Sequence, residues 1–385
     1  MEKVETRFPD YDNSILNLIT SIVKHYGVES THTSLRQLDE KLQKNYQNIV
    51  LIILDGMGEN VLSKLSPEGF FSRNKADVIT SIFPPTTAAA LSVYYSGKAP
   101  IENGWIAWSQ YFKEFGRAID MLPCCDSYTG EPIKSKRESV YSYVDYKSVY
   151  HKIEEKQKDV KTYEVKPSYC EARADVTINA ETIDKMCKAI TTLCKGNEKK
   201  YIFAYNDNPD KTLHRKGCYS EEVKSFIQDT ENKIEKMCEE LEGTNTLVII
   251  TADHGHTPIE ETYSFLDLPE FQAYFEMPPS LESRCLTFWI KKGREEEFRQ
   301  KFESKFGHAF KIYAKQEFLD SNLLGYGEHH PKIDDFIGDF VAIATSSMMI
   351  KPETNLSREK YEKTSNHCGM TKDEMEVPLI LIERK

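Results

Sequence analysis

The chain has 385 residues, 39% of them hydrophobic, which is enough for a large core or for one catalytic domain with an insertion. A formal net charge of -11 argues against a generic nucleic-acid-binding surface. No apolar run approaches ~18 residues, so no membrane span is expected, and the charged start Met1-Glu2-Lys3-Val4-Glu5 is not followed by the apolar segment of a secretory leader. The nine cysteines form no paired CxxC, and adjacent Cys124-Cys125 make a poor chelate. They read as reduced thiols of a cytoplasmic protein.

Asn13 is placed to cap a helix over 13–25, with Ile15, Leu16, Ile19, Ile22 and Val23 on one face and Gly27 as the stop. A second helical pattern covers 34–45. Residues 48–54 (NIVLIIL) are apolar on both faces, which suits a central parallel strand covered by helices. The run ends in Asp55-Gly56-Met57-Gly58. A short strand is expected over 76–82. Phe83-Pro84-Pro85 then breaks the chain, and Thr86-Thr87-Ala88-Ala89-Ala90 starts a helix that Gly97 and Pro100 end. The stretch 101–150 reads as loop with short strands. Its aromatics, including Trp105, Trp108 and Tyr111, suit a wall of a site or ordinary packing.

A strand is expected over 160–165, a helix over 176–194 and a buried strand over 200–205. The last runs into a polar turn that reaches Asp210, with His214 four residues later. A long charged helix over 221–242 precedes the strand of 246–251, which ends in Asp253-His254-Gly255-His256. Strands alternating with helices imply a mostly parallel sheet flanked by helices on both faces. Residues 259–337 change character: strands at 285–290 and 310–313 with helices at 295–306 and 315–321 suggest a small α+β insertion. The buried-strand pattern returns at 338–344, Asn366-His367-Cys368-Gly369 follows a charged loop, and 377–382 closes the chain. The expected organisation is a core of 1–258 and 338–385, with a cap of 259–337.

In open α/β sheets, ligands bind beyond the carboxyl ends of the strands. The polar residues there are Asp55, Asp210 with His214, Asp253 with His254, and His367. Each alone could be a solvated or capping residue of a turn. Together, three carboxylates and three imidazoles form a ligand set for borderline divalent metals, Zn²⁺ first and Mn²⁺ second. Six ligands are too many for one open tetrahedral site and suit two ions. Thr87 adds a hydroxyl at a helix N-terminus, where backbone N–H groups favour an anion. Metal coordination would lower the pKa of such a hydroxyl, and the Ala88 N–H could donate to a bound phosphoryl oxygen.

The chain resembles the alkaline phosphatase superfamily, in particular its nucleotide pyrophosphatase and phosphodiesterase branch. The segments that carry the resemblance are VLIILDGMG (50–58), FPPTTAAALSVYYSG (83–97), DKTLH (210–214), TADHG (251–255) and NHCG (366–369), in the family's order. The resemblance implies two divalent metals and a small phosphorylated substrate, either a nucleotide or another phosphodiester. One metal would lie on Asp55, Asp253, His254 and the Thr87 oxygen, the other on Asp210, His214 and His367. The family's Phe-Pro-x-x-Thr pattern implies Thr87 as nucleophile, with Thr86 as competitor, and a phospho-threonine intermediate. Family diesterases also carry an asparagine beyond the nucleophile; their spacing lands here on Trp108, with Asn103 nearby. Three readings follow: a phosphodiesterase or nucleotide pyrophosphatase; a monoesterase, phosphonate hydrolase or mutase on the same metals; or a metal-dependent phosphate-binding protein without turnover. His256 suits a supporting or product-contacting role and ordinary packing equally. Among Lys98, Arg117 and Arg284, no feature selects a substrate-binding cation, and His329-His330 suit a solvated loop.

Overall fold

The computed structural model describes residues 4–133, 140–355, 357 and 362–385. Parts of the expected 101–150 loop region and of the charged loop before Asn366 lie outside these residues.

Helix α1 (Ile15–His25) starts at Ser14, not Asn13, where the Ser14 N–H and hydroxyl both donate to the Asn17 side-chain oxygen. The central sheet is built from β1 (Asn48–Leu54), β2 (Lys75–Thr80), β3 (Val160–Lys166), β4 (Thr177–Asn179), β5 (Lys199–Asn206) and β6 (Thr246–Thr251). The C-terminal strand joins them below. Helix α2 (Thr87–Ser96) is buried along its whole length, as its run of alanines and apolar residues allows. Helices Ile183–Cys194 and Glu221–Glu240 flank the sheet and pack on each other. The stretch expected as one helix over 176–194 thus divides into β4 and a helix. Its first residues add an edge strand to β3 because Glu164, Val165 and Lys166 offer a free ladder there.

The region expected as a cap holds β7 (Phe275–Glu282), β8 (Cys285–Ile290), helix α4 (Glu295–Phe306; α3 is Asp210–Lys216) and β9 (Phe310–Ala314), and β10 (Phe340–Ala344) follows it. These strands form an antiparallel sheet in the order β7-β8-β10-β9. The strand expected to return to the core at 338–344 therefore pairs with the cap. Its two faces account for the difference: Val341 and Ile343 join the main core, while Phe340, Ala342 and Ala344 join a second, phenylalanine-rich core. Phe298, Phe302 and Phe306, spaced four apart on α4, supply the centre of that second core.

The last strand, β11 (Glu376–Arg384), completes a seven-stranded sheet in the order β2-β11-β6-β1-β5-β3-β4. β1 is parallel to β5 and β6, and β11 is antiparallel to β6 and β2. Every residue of β1 and β6 is buried. The register aligns Ile53 with Thr251 and Leu54 with Asn206, so the polar residues that follow all emerge at one edge. Two backbone hydrogen bonds join them there, from Asp55 to the Asn206 carbonyl (3.0 Å) and from Asp210 to the Asp55 carbonyl (2.8 Å).

Candidate metal centre

Asp55 follows β1, and Asp253 and His254 follow β6. The turns are tight. Gly56 takes a positive φ of 74°, and a Cβ on Gly255 would lie 2.0 Å from the Asp373 carbonyl oxygen. Gly56 N–H and His254 N–H both donate to Asp253 Oδ1, each at 3.0 Å, which fixes that carboxylate. His254 Nε2 lies 3.4 Å from Asp55 Oδ1 and 3.4 Å from Asp253 Oδ2. The hydroxyl of Thr87 is 3.3 Å from His254 Nε2 and donates to Asp55 Oδ2 at 3.5 Å. Tyr205, at the end of β5, also donates to Asp55 Oδ2.

A second cluster adjoins the first. Asp210 opens helix α3, and a single turn brings His214 Nε2 to 3.3 Å from Asp210 Oδ1. A two-residue antiparallel ladder pairs Thr257 with Asn366 and Pro258 with Ser365. It sets the preceding His256 beside the following His367. Their Nε2 atoms lie 2.7 and 3.7 Å from Asp210 Oδ1. His254 stacks on His367 with ring centroids 3.9 Å apart, so it belongs to both clusters. Ligand atoms of Asp210, His254, His256 and His367 fall within 4.8 Å of one another, as do those of Asp55, Asp253 and His254.

The ring orientations fit metal binding. Nδ1 of His214 faces the Ser365 carbonyl (2.9 Å), and Nδ1 of His367 faces the Pro85 carbonyl (3.0 Å). A carbonyl partner makes Nδ1 the donor and leaves the Nε2 lone pair for the centre. Asp55 Oδ1 and Asp253 Oδ2 are buried and have no hydrogen-bond partner among the described residues. Two such oxygens side by side are costly unless a cation or proton lies between them.

Electrostatics separates the clusters. Burial, then repulsion by Asp253 and Asp210, pushes the Asp55 carboxyl well above the usual carboxylate range. Burial also works to raise Asp210, but His214, His256 and His367 outweigh it and hold that carboxyl well below the usual range. Burial lowers the pKa of His214, His256 and His367, for His367 with help from His254.

All seven expected ligand positions, Asp55, Thr87, Asp210, His214, Asp253, His254 and His367, lie at this one edge of the sheet. His256, left open between packing and support, is in the cluster. A histidine two residues past His254, just before a strand break, was the available signal. Tyr205 was hidden because it reads as the last apolar residue of a strand. Ala88 is the second residue of α2, whose first N–H groups have no acceptor within the helix, and the Thr86 side chain makes no capping bond to them.

Two residues expected to contact substrate, Asn103 and Trp108, lie in the stretch after α2. Asn103 is buried in the loop after α2. Its Nδ2 donates to Ser96 Oγ (3.3 Å) and the Lys98 carbonyl (3.2 Å), and its Oδ1 accepts from Trp105 N–H (2.8 Å). Those bonds brace the turn. The Trp108 side chain is partly exposed, and its backbone N–H donates to Glu282 Oε1 at 2.9 Å. Arg284 is not a substrate cation. It is fully buried and forms a two-pronged pair with Glu374 (2.6 and 2.8 Å). Glu374 also accepts from Gly369 N–H and Thr371 N–H, so the pair anchors the segment after His367.

Comparison with known proteins agrees with this architecture. No curated protein matches the chain in sequence. Among solved structures, murine ectonucleotide pyrophosphatase / phosphodiesterase 5 superposes with a TM-score of 0.62 at 15% identity, over 86% of this chain and 87% of that one. An inactive threonine-to-alanine variant of the murine protein in complex with AMP gives the same TM-score and identity, over 87% of each chain. Phosphonoacetate hydrolase from Sinorhizobium meliloti 1021, in complex with phosphonoformate, superposes with a TM-score of 0.63 at 15% identity, over 86% of this chain and 89% of that one. At such identities the likeness establishes the fold, which is alkaline phosphatase-like. The family profile described as type I phosphodiesterase / nucleotide pyrophosphatase matches residues 49–369. The chain belongs to the type I phosphodiesterase / nucleotide pyrophosphatase family.

Proposed function

We propose that the protein is a two-metal phosphodiesterase that acts through Thr87. The observation that carries this reading is the Thr87 hydroxyl, 3.3 Å from His254 Nε2 at the start of a buried helix, beside two carboxylate oxygens that lack partners among the described residues. Asp55, Asp253 and His254 would hold one ion beside Thr87. Asp210, His214 and His367, with His256, would hold the other. Two divalent ions, Zn²⁺ or Mn²⁺, would supply the positive charge that offsets phosphoryl oxygens and lowers the pKa of a neighbouring hydroxyl.

The chain's own groups do the rest. Tyr205 fixes Asp55, which in turn holds the Thr87 side chain in place, and Gly56 N–H fixes Asp253. Thr87 Oγ1 attacks phosphorus, its proton leaving toward Asp55 Oδ2. The P–O bond to the leaving alcohol breaks, and that oxygen departs with the bonding pair and takes up a proton. The Ala88 N–H donates to a non-bridging oxygen as charge builds there. Water then cleaves the phospho-threonine by the same in-line geometry, restoring the Thr87 hydroxyl. An inactive threonine-to-alanine form of the AMP-binding murine neighbour supports a threonine in this role.

Phosphonate hydrolysis on the same site is the second reading. The phosphonoacetate hydrolase neighbour favours it, as does the occupied Asn103 side chain. Cys170, Cys187, Cys194, Cys218, Cys238, Cys285 and Cys368 are free thiols among the described residues, which supports a reducing, cytoplasmic location. Among the described residues no helix is long and apolar enough to cross a membrane. We also place the cap boundary after β10, so that 259–351 covers the site as one unit.

The test uses Zn²⁺-loaded protein with bis-p-nitrophenyl phosphate, p-nitrophenyl phosphate and phosphonoacetate. Diester turnover should dominate, stop with a chelator and return with Zn²⁺. Thr87→Ala should lower kcat/KM on the order of a thousandfold or more. Full activity in that variant would remove Thr87 from the mechanism.

A further inference from the structure

Lys363 places an ammonium on the second cluster. Its Nζ lies 3.3 Å from His214 Nε2 and 3.1 Å from Asn366 Oδ1. The same imidazole nitrogen is 3.3 Å from Asp210 Oδ1. On the other side of the ring, Nδ1 faces the Ser365 carbonyl at 2.9 Å and is therefore the donor. Nε2 then carries the lone pair of the ring. An ammonium has only N–H groups to offer, so it can only donate to that lone pair. Lys363 thus engages the atom with which His214 would hold the second ion.

The backbone fixes this placement. Lys363 is half-buried, and the residues after it are tied across the end of α3. Thr364 N–H and hydroxyl donate to the His214 carbonyl at 2.9 and 3.3 Å, and the Ser365 hydroxyl donates to the Leu213 carbonyl at 2.7 Å. Ile259 N–H donates to the Thr364 carbonyl at 3.0 Å. The first cluster is built otherwise. Among the described residues no lysine or arginine pairs with Asp55 or Asp253, and His254 is their ion-pair partner. A divalent ion arriving there meets carboxylate oxygens that lack partners among those residues. One arriving at the second cluster must displace an ammonium from its ligand, against the repulsion of like charges that water screens poorly.

We propose that Lys363 is a stand-in cation for the second ion: it competes for His214 Nε2 and so lowers the affinity of the Asp210, His214 and His367 site. Occupancy of that site, and any activity that needs both ions, then follows the supply of metal. This rests on the two-metal reading above. The test reads binding without turnover: Zn²⁺ alone is titrated into the chelator-stripped chain against a chromophoric zinc chelator, which gives two dissociation constants. His367→Ala should abolish one step and so assign it to the second cluster. Lys363→Met keeps the length of the side chain and removes the charge and the donor. It should tighten that step about tenfold or more, the scale of one hydrogen bond to a charged group, and leave the other step unchanged. Lys363→Ala serves if the methionine variant does not fold. Lys363→Arg keeps the charge and should bind both ions as the wild type does. Unchanged constants in Lys363→Met, or tightening of the step that His367→Ala retains, overturn the proposal while the two-metal reading stands. One ion on the wild type and two on Lys363→Met would support it. If neither protein bound a second ion, the two-metal reading would fall and the proposal with it.

Discussion

The two clusters of the centre hold acids in opposite states. Around Asp55 and Asp253, carboxylates face each other with oxygens that lack partners among the described residues, and Asp55 is pushed toward protonation. Around Asp210, three imidazoles surround one acid, and His256 meets it at 2.7 Å. The first cluster is therefore incomplete without a cation or a proton. The second can satisfy its own acid. This difference follows from where the residues come from. Parallel strands deliver acids side by side, whereas α3 and the 257–258/365–366 ladder deliver histidines around a single acid.

The comparison breaks most visibly on substitution. Asp253→Asn should lower activity on the order of a thousandfold, because the proposed Thr87-side ion would lose one of its ligands. In chelator the same variant should melt higher than wild type, since an uncompensated buried charge has been removed. His256→Ala in chelator should melt lower, because Asp210 loses its 2.7 Å partner. Differential scanning calorimetry of the three proteins in EDTA reads both signs, and shifts of the same sign would dissolve the distinction.

Titration sharpens it. The pKa values of His214, His256 and His367 are lowered on folding. Their neutral forms thus stabilise the native state fully above the unfolded value, about 6.5, and that contribution is lost as pH falls below it. Asp55 has the opposite sign, since its raised pKa makes the native state bind a proton more tightly than the unfolded chain. The three histidines outnumber it. In EDTA the melting temperature should drop by several degrees between pH 7.5 and 5.5, and His256→Ala should flatten that slope.

The smallest effect belongs to Tyr205→Phe. Removing the donor to Asp55 Oδ2 takes away one hydrogen bond to a charged group, worth about 1.5–3 kcal/mol. Steady-state kinetics should show kcat falling about tenfold with KM nearly unchanged, as Asp55 loses its fixed orientation. A change confined to KM would mean that Tyr205 acts on substrate instead.

Much of the sheet was legible because β1 and β6 are apolar on both faces and end abruptly in acids. A strand buried between layers of helices, with its carboxyl end open to a ligand, produces that pattern directly. The cap strand β10 is just as apolar, yet it pairs with β8 and β9, because being buried on both faces does not say which sheet a strand joins. Arg284 was equally ambiguous, since a lone arginine in a sequence can meet a substrate or a buried acid such as Glu374.

The sequence by itself determined the chemistry of the centre. Asp55, Asp253 and His254 had to emerge at one edge once β1 and β6 were parallel, and Thr87 had to open a helix once two prolines preceded it. Only the tertiary structure decided who completes that centre. It brought His256 to Asp210 and Tyr205 to Asp55, through contacts between segments distant in the chain. Local patterns record the period and the ends of an element. They do not record which other element will be folded against it.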